Sequence, residues 1–135
     1  MRILITGGAG FIGSHLVQGA LERGYQVAVL DNLSSGSLQN IAEVQNQVEF
    51  VQGDIRDREL VRKMTRNVDL VFHEAAMAAV PLCIENPTLS AEINDIGTLN
   101  VLEAAAEAGV GRVVYASSSA VYGDAYPSPH HEDLL

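Results

Sequence analysis

Short apolar runs rich in β-branched residues alternate along this chain with longer stretches whose apolar positions recur at helical spacing. Residues 3–5, 27–30, 48–51, 68–72 and 113–115 form the short runs, each with the length and flanking turn residues of a parallel strand buried on both faces. Between them, residues 12–23 read as a helix. So does the stretch from about 87 to 108, through Leu89, Ile93, Ile96, Leu99 and Leu102. Gly24 and Gly109 stand where a helix ends on a residue of left-handed backbone. A further short helix is expected at 57–64, and residues 32–46 read as a loop holding one short helix.

Strands alternating with helices predict an α/β fold: a Rossmann-type parallel sheet of about five strands with right-handed crossovers and flanking helices. The alternation stops after the fifth strand, so the sheet is expected to be incomplete at its C-terminal end. Residues 1–121 then form one domain, and residues 122–135, with Gly123, Pro127 and Pro129 and no periodicity, form a loop or tail. A chain of 135 residues, 47% of them hydrophobic, has room for one core and not for two lobes.

Charge narrows the partners. Seventeen acidic residues against eight basic ones give a formal charge of −9. That balance argues against nucleic acid or an anionic membrane surface, both of which require clustered Lys and Arg. The opening apolar run stops at Thr6-Gly7-Gly8, too early for an export signal, and no stretch approaches the roughly 18 residues needed to cross a bilayer. A soluble, cytoplasmic protein is expected; the single cysteine, Cys83, suits a reducing compartment.

Directly after the first strand comes Thr6-Gly7-Gly8-Ala9-Gly10-Phe11-Ile12-Gly13, which satisfies both G-x-G-x-x-G and G-x-x-G-x-x-G. Glycine lets the chain turn sharply off the strand, lets backbone approach a pyrophosphate, and lets the helix pack closely on the sheet. Free N–H groups and the positive helix end then face the phosphates, without any need for basic side chains. The second strand ends at Asp31, eighteen residues past Gly13, about where an acidic residue accepts hydrogen bonds from the adenosine ribose hydroxyls. Its carboxylate would repel a 2′-phosphate, and no Arg or Lys lies between Asp31 and Glu43, so NAD is expected in preference to NADP.

Five ordered motifs resemble the extended short-chain dehydrogenases/reductases, in particular the nucleotide-sugar epimerases and dehydratases, and within these the enzymes that epimerise UDP-sugars at C4. They are Thr6 to His15, Asp31-Asn32-Leu33-Ser34-Ser35-Gly36, Gly53-Asp54-Ile55, His73-Glu74-Ala75-Ala76, and Ser117 to Asp124. By that resemblance the cofactor contacts fall on Gly7, Gly10, Phe11, Ile12, Gly13, Asp31, Asn32, Ser35, Gly36 and Ser117. Asp54 and Ile55 would flank the adenine, with the Asp54 carboxylate accepting from its exocyclic amine. Ala75 and Ala76 would let backbone pass close to the cofactor, and Asn94 would contact or position the cofactor-side loop. The family's catalytic hydroxyl falls on Ser118, four before Tyr122, where it would hydrogen-bond the reacting oxygen of the sugar.

Dehydratases and decarboxylases of the family carry an acid two residues before the Tyr-Gly pair. Ala120 stands there, so the resemblance is to a nucleotide-sugar 4-epimerase, with a UDP-sugar as substrate and C4 oxidised and re-reduced by hydride transfer. The family's general base, a tyrosine followed four residues later by a lysine, is absent: the one lysine is Lys63, and neither Tyr115, Tyr122 nor Tyr126 has a lysine at that spacing. The chain thus resembles the amino-terminal part of such an epimerase, inactive alone. The alternatives are a stand-alone NAD(H)-binding regulatory module or a piece of a nucleotide-sugar dehydratase or decarboxylase. A homodimer contact through the helix at about 87–108 is implied by the same resemblance. No metal site is expected: His130 and His131, beside Glu132 and Asp133, read as a solvated tail, while His15 and His73 read as packing or hydrogen-bonding residues.

Overall fold

The computed structural model describes residues 1–124 and 128–134. Of the tail expected at 122–135, residues 125–127 and 135 lie outside the described residues. Five parallel strands, β1 (Arg2–Thr6), β2 (Gln26–Asp31), β3 (Val48–Gln52), β4 (Leu70–His73) and β5 (Arg112–Tyr115), form one sheet in the order β3-β2-β1-β4-β5. This is the Rossmann-type α/β fold, with its reversal of strand order between β1 and β4.

Alternation along the strands divides the core into two layers. Ile3, Ile5, Val27 and Val29 point to one face, where Val17 and Ala20 of α1 (Phe11–Glu22) and Ile41 cover them. Leu4, Ala28, Leu30 and Val71 point to the other, against Val61 and Met64 of α2 (Arg58–Met64) and Val101 and Ala104 of α5 (Thr98–Glu107). Gly24 and Gly109 end α1 and α5 as expected, both at φ near +70°. In each case the following residue's N–H reaches back to the last turn, Tyr25 to the Ala20 carbonyl and Val110 to that of Ala105.

The stretch 87–108 is helical but not uniformly so. It runs as α4 (Pro87–Ala91), a π-helical segment (Glu92–Gly97) and α5. Its buried face is only in part the apolar stripe that identifies it: Ile93 packs on the core and Gly97, Asn100, Val101, Ala104 and Ala105 are buried, whereas Ile96, Leu99 and Leu102 are exposed. Small residues and an amide let this helix lie close against the β3–α2 connection, where Asn100 Nδ2 donates to the carbonyls of Ile55 and Arg56. A short helix, α3 (Val80–Glu85), follows β4 where the sequence shows no helical periodicity; Pro81 lies in its first turn. The 32–46 connection holds two 3₁₀ turns, Leu38–Ile41 and Gln45–Gln47, in place of the one short helix expected. Among the described residues no helix is long and apolar enough to cross a membrane.

Candidate functional site

The carboxyl ends of β1 to β4 converge on the glycine turn, whose three spaced glycines have three different surroundings. Gly7 has φ +70°, its N–H donates to the Leu30 carbonyl at 2.8 Å, and a Cβ there would lie 2.7 Å from Ala75 N. A Cβ on Gly13 would run into the Gly7 carbonyl and stand 2.7 Å from Gly8 Cα, so α1 can approach the turn only as glycine. A Cβ on Gly10 would meet nothing nearer than the Gly7 carbonyl at 3.2 Å, and Gly10 lines a cavity. Gly8 packs away from that cavity, against Val29. The physical pattern is therefore Gly7, Gly10, Gly13.

Gly10 is the N-cap of α1. No side chain caps the helix and no acid lies in its first turn, so the N–H groups of Phe11, Ile12 and Gly13 have no intrahelical partner and the positive end stays uncompensated. Asp31 is buried, and each of its carboxylate oxygens accepts one backbone N–H: Oδ2 from Ala9 at 2.9 Å, Oδ1 from Leu33 at 2.8 Å. It therefore fixes the glycine turn as well as facing the cavity. The loop after it folds back on the same turn, where Ser37 N–H and Asn40 Nδ2 both donate to the Ala9 carbonyl.

Asp54, after β3, is more occupied than the sequence suggests. Its Oδ1 accepts from Arg56 N and Nε, and its Oδ2 from Arg56 Nη2 and Asn32 Nδ2, all between 2.9 and 3.0 Å. The Arg56 guanidinium is the main reason its carboxyl is held down at about 2. Arg56 Nη1 also reaches Glu92 at 3.1 Å, tying this corner to the π-helical segment.

At the end of β4, His73 is buried between two hydroxyls, with Nδ1 2.6 Å from Thr6 Oγ1 and Nε2 2.9 Å from Thr98 Oγ1. Burial pulls its pKa down to about 4, so the ring is neutral at neutral pH. The loop that follows is clamped by Asn94: Oδ1 accepts from Met77 N–H at 2.8 Å and Nδ2 donates to the Met77 carbonyl at 3.1 Å.

These ends surround a cavity of about 450 Å³ at the point where the strand order reverses. Of the residues expected at the cofactor, Gly7, Gly10, Asp31, Asn32, Ser35, Gly36, Asp54, Ile55, Ala75 and Ala76 line it. Phe11, Ile12 and Gly13 stand at the helix mouth behind Gly10 and do not line it, and Asn94 acts on it through Met77. Ser117 and Ser118 lie outside it. Both are exposed, and Ser118 Oγ accepts from Ala120 N–H at 3.2 Å as the cap of a 3₁₀ turn, Ser119–Tyr122. The wall contributed by residues 77–79, Leu82, Leu89 and Ile93 is not read from the sequence, because it is assembled by α3, α4, the π-helical segment and the clamp on Met77. No group of three or more metal-ligating side chains occurs among the described residues.

The model of the NAD dependent epimerase/dehydratase family matches residues 3–135. The putative UDP-glucose 4-epimerase of Methanocaldococcus jannaschii is 45% identical over 124 residues, which are 90% of this chain and 40% of that protein. Among solved structures, the UDP-glucose 4-epimerase of Thermus thermophilus, in complex with NAD, superposes with a TM-score of 0.87 at 43% identity, over 98% of this chain and 43% of that one. A double mutant of the dTDP-glucose 4,6-dehydratase of Streptomyces venezuelae, with NAD bound, gives 0.84 at 44% identity, over 91% and 41%. The chain spans about two-fifths of the length of these relatives. With the match running through strand order, glycine turn and strand ends alike, the chain belongs to the NAD dependent epimerase/dehydratase family.

Proposed function

We propose that the chain holds NAD as the cofactor-binding part of a nucleotide-sugar 4-epimerase acting on a UDP-sugar. One observation carries the reading: a single cavity opens beside the mouth of α1, whose first backbone nitrogens have no partner within the helix, and its lining holds carboxylates at the ends of β2 and β3 and no Lys or Arg. The diphosphate lies against the Gly7–Gly13 turn, where the open end of α1 provides the positive potential that side chains do not. Each Asp31 oxygen has a lone pair left after its backbone bond, and these accept the adenosine ribose hydroxyls. A phosphate on that ribose would meet the same carboxylate with no cation in the lining to offset it.

Adenine packs on Ile55, and its amine reaches Asp54 Oδ2 by displacing the Asn32 amide, since all four lone pairs of Asp54 are already engaged. When bound, the cofactor supplies hydride exchange at the sugar carbon. Ser118 Oγ accepts from Ala120 N–H and keeps its own O–H to donate to the sugar's reacting oxygen. Ala120 at the position of the dehydratase acid favours epimerisation. The one lysine, Lys63, is exposed on α2, so these residues alone bind cofactor without turnover.

Calorimetric titration with NAD and NADP tests the proposal. NAD is expected to bind about tenfold or more tighter than NADP, the cost of one uncompensated like-charge contact. No binding heat with NAD at millimolar concentration, or equal affinity for the two, would end it.

A further inference from the structure

Thr98, His73, Thr6 and Ala75 form one continuous hydrogen-bonded chain. It starts on the first residue of α5, passes through the imidazole to the last residue of β1, and ends on the backbone nitrogen of a cavity-lining residue, with Ala75 N–H donating to Thr6 Oγ1 at 3.3 Å. Thr6 is 0% exposed and His73 5%, so an apolar pair would fill this volume at less desolvation cost. A buried polar run of this kind is held only when every member is satisfied, and here each one is. The neutral ring carries one N–H, so at least one of the two threonine hydroxyls donates to it. Ala75 N also lies 2.7 Å from where a Gly7 Cβ would stand, so the wall that this chain holds abuts the glycine turn.

We infer that His73 is a positioning residue of the cofactor site: acting through Thr6, it sets the Ala75–Ala76 backbone against the glycine turn and ties that wall to α5. The inference rests on the reading of the cavity as an NAD site. Asn94 clamps the same loop two residues further on, from the π-helical segment just before Thr98. One helical run therefore holds the loop at both of its fixed points.

The test uses Thr98→Val, which removes the outer hydroxyl at constant shape, with Thr98→Ser as the conservative rescue and His73→Phe as the direct variant. Amide hydrogen exchange at Ala75 should rise about tenfold in Thr98→Val, as loss of one buried hydrogen bond implies, while Leu4 and Val29 in the core stay protected. NAD should bind about tenfold more weakly to the folded protein, and Thr98→Ser should restore both values. A residue that merely stabilises the fold would lower the melting temperature and leave the affinity of folded molecules unchanged. Exchange at Ala75 or affinity equal to wild type in Thr98→Val overturns the inference, even where His73→Phe fails to fold. Should wild-type protein take up no NAD, the cofactor reading falls separately, and unchanged exchange at Ala75 would still overturn the positioning role.

Discussion

Gly10 and Gly13 stand three residues apart in one motif and do opposite jobs. At Gly13 a methyl group would collide with the Gly7 carbonyl and the Gly8 backbone, atoms that cannot swing aside. Gly13→Ala should therefore cost about 1–3 kcal/mol or more of stability through overpacking, read as a lower urea midpoint. At Gly10 the backbone is extended, φ −77° and ψ 179°, which any residue adopts, and the nearest atom to a Cβ is 3.2 Å away. Gly10→Val should cost only about 1 kcal/mol of stability, since valine is a poorer N-cap than glycine and its Cβ stands close to the Gly7 carbonyl, yet it should lose NAD binding, because its side chain would intrude where the proposed diphosphate lies. Wild-type affinity in Gly10→Val would show that the ligand sits elsewhere. Asp31 offers no such clean separation. Removing its carboxylate also strips partners from the N–H groups of Ala9 and Leu33, so weaker binding in Asp31→Ala would mix a lost ribose contact with a loosened turn.

At the scale of elements, the strands and the two glycine helix ends are legible in the sequence because both are local. A parallel strand buried on two faces must be an apolar run, and a left-handed helix end selects glycine. The π-helical segment is not legible. Its position is set by contacts distant in sequence: Asn94 with Met77, Gly97 against Ile55, and Asn100 with the Ile55 and Arg56 carbonyls. The occupied state of Asp54 is hidden only in part for the same reason: Arg56, two residues on, supplies three of its four hydrogen bonds locally, while Asn32 reaches it only because β2 and β3 are neighbours. Gly97 connects this helix to the Ile55 end of the cavity. A Cβ there would stand 2.5 Å from Ile55 Cδ1, and Ile55 lines the cavity. Gly97→Ala should push Ile55 towards the ligand and weaken NAD binding, while the double variant Gly97→Ala with Ile55→Val should recover part of the loss. Additive losses in calorimetric titration would mean that the two positions are not coupled.

For the whole molecule, the question is what covers the apolar surface that the fold leaves outside. Ile96, Leu99 and Leu102 are 52%, 49% and 42% exposed along one side of the long helix, the side that supplies most of its periodicity and not its core contacts. Val114 and Tyr115 are also exposed, on β5, which among the described residues pairs only with β4. Both surfaces invite a second copy of the chain, and the formal charge of −9 opposes it. Since the repulsion is long-ranged and the apolar contact is not, added salt shortens the former, to a Debye length of about 10 Å at 0.1 M, and leaves the latter intact. Sedimentation velocity should therefore show self-association that strengthens from low to moderate salt. If the helix stripe is the contact, Leu99→Glu removes the association at every salt concentration, because it buries a charge at the centre of the pairing face. Association that survives Leu99→Glu and yields to Val114→Lys would place the contact at the β5 edge, and a monomer under all conditions would mean that neither surface pairs.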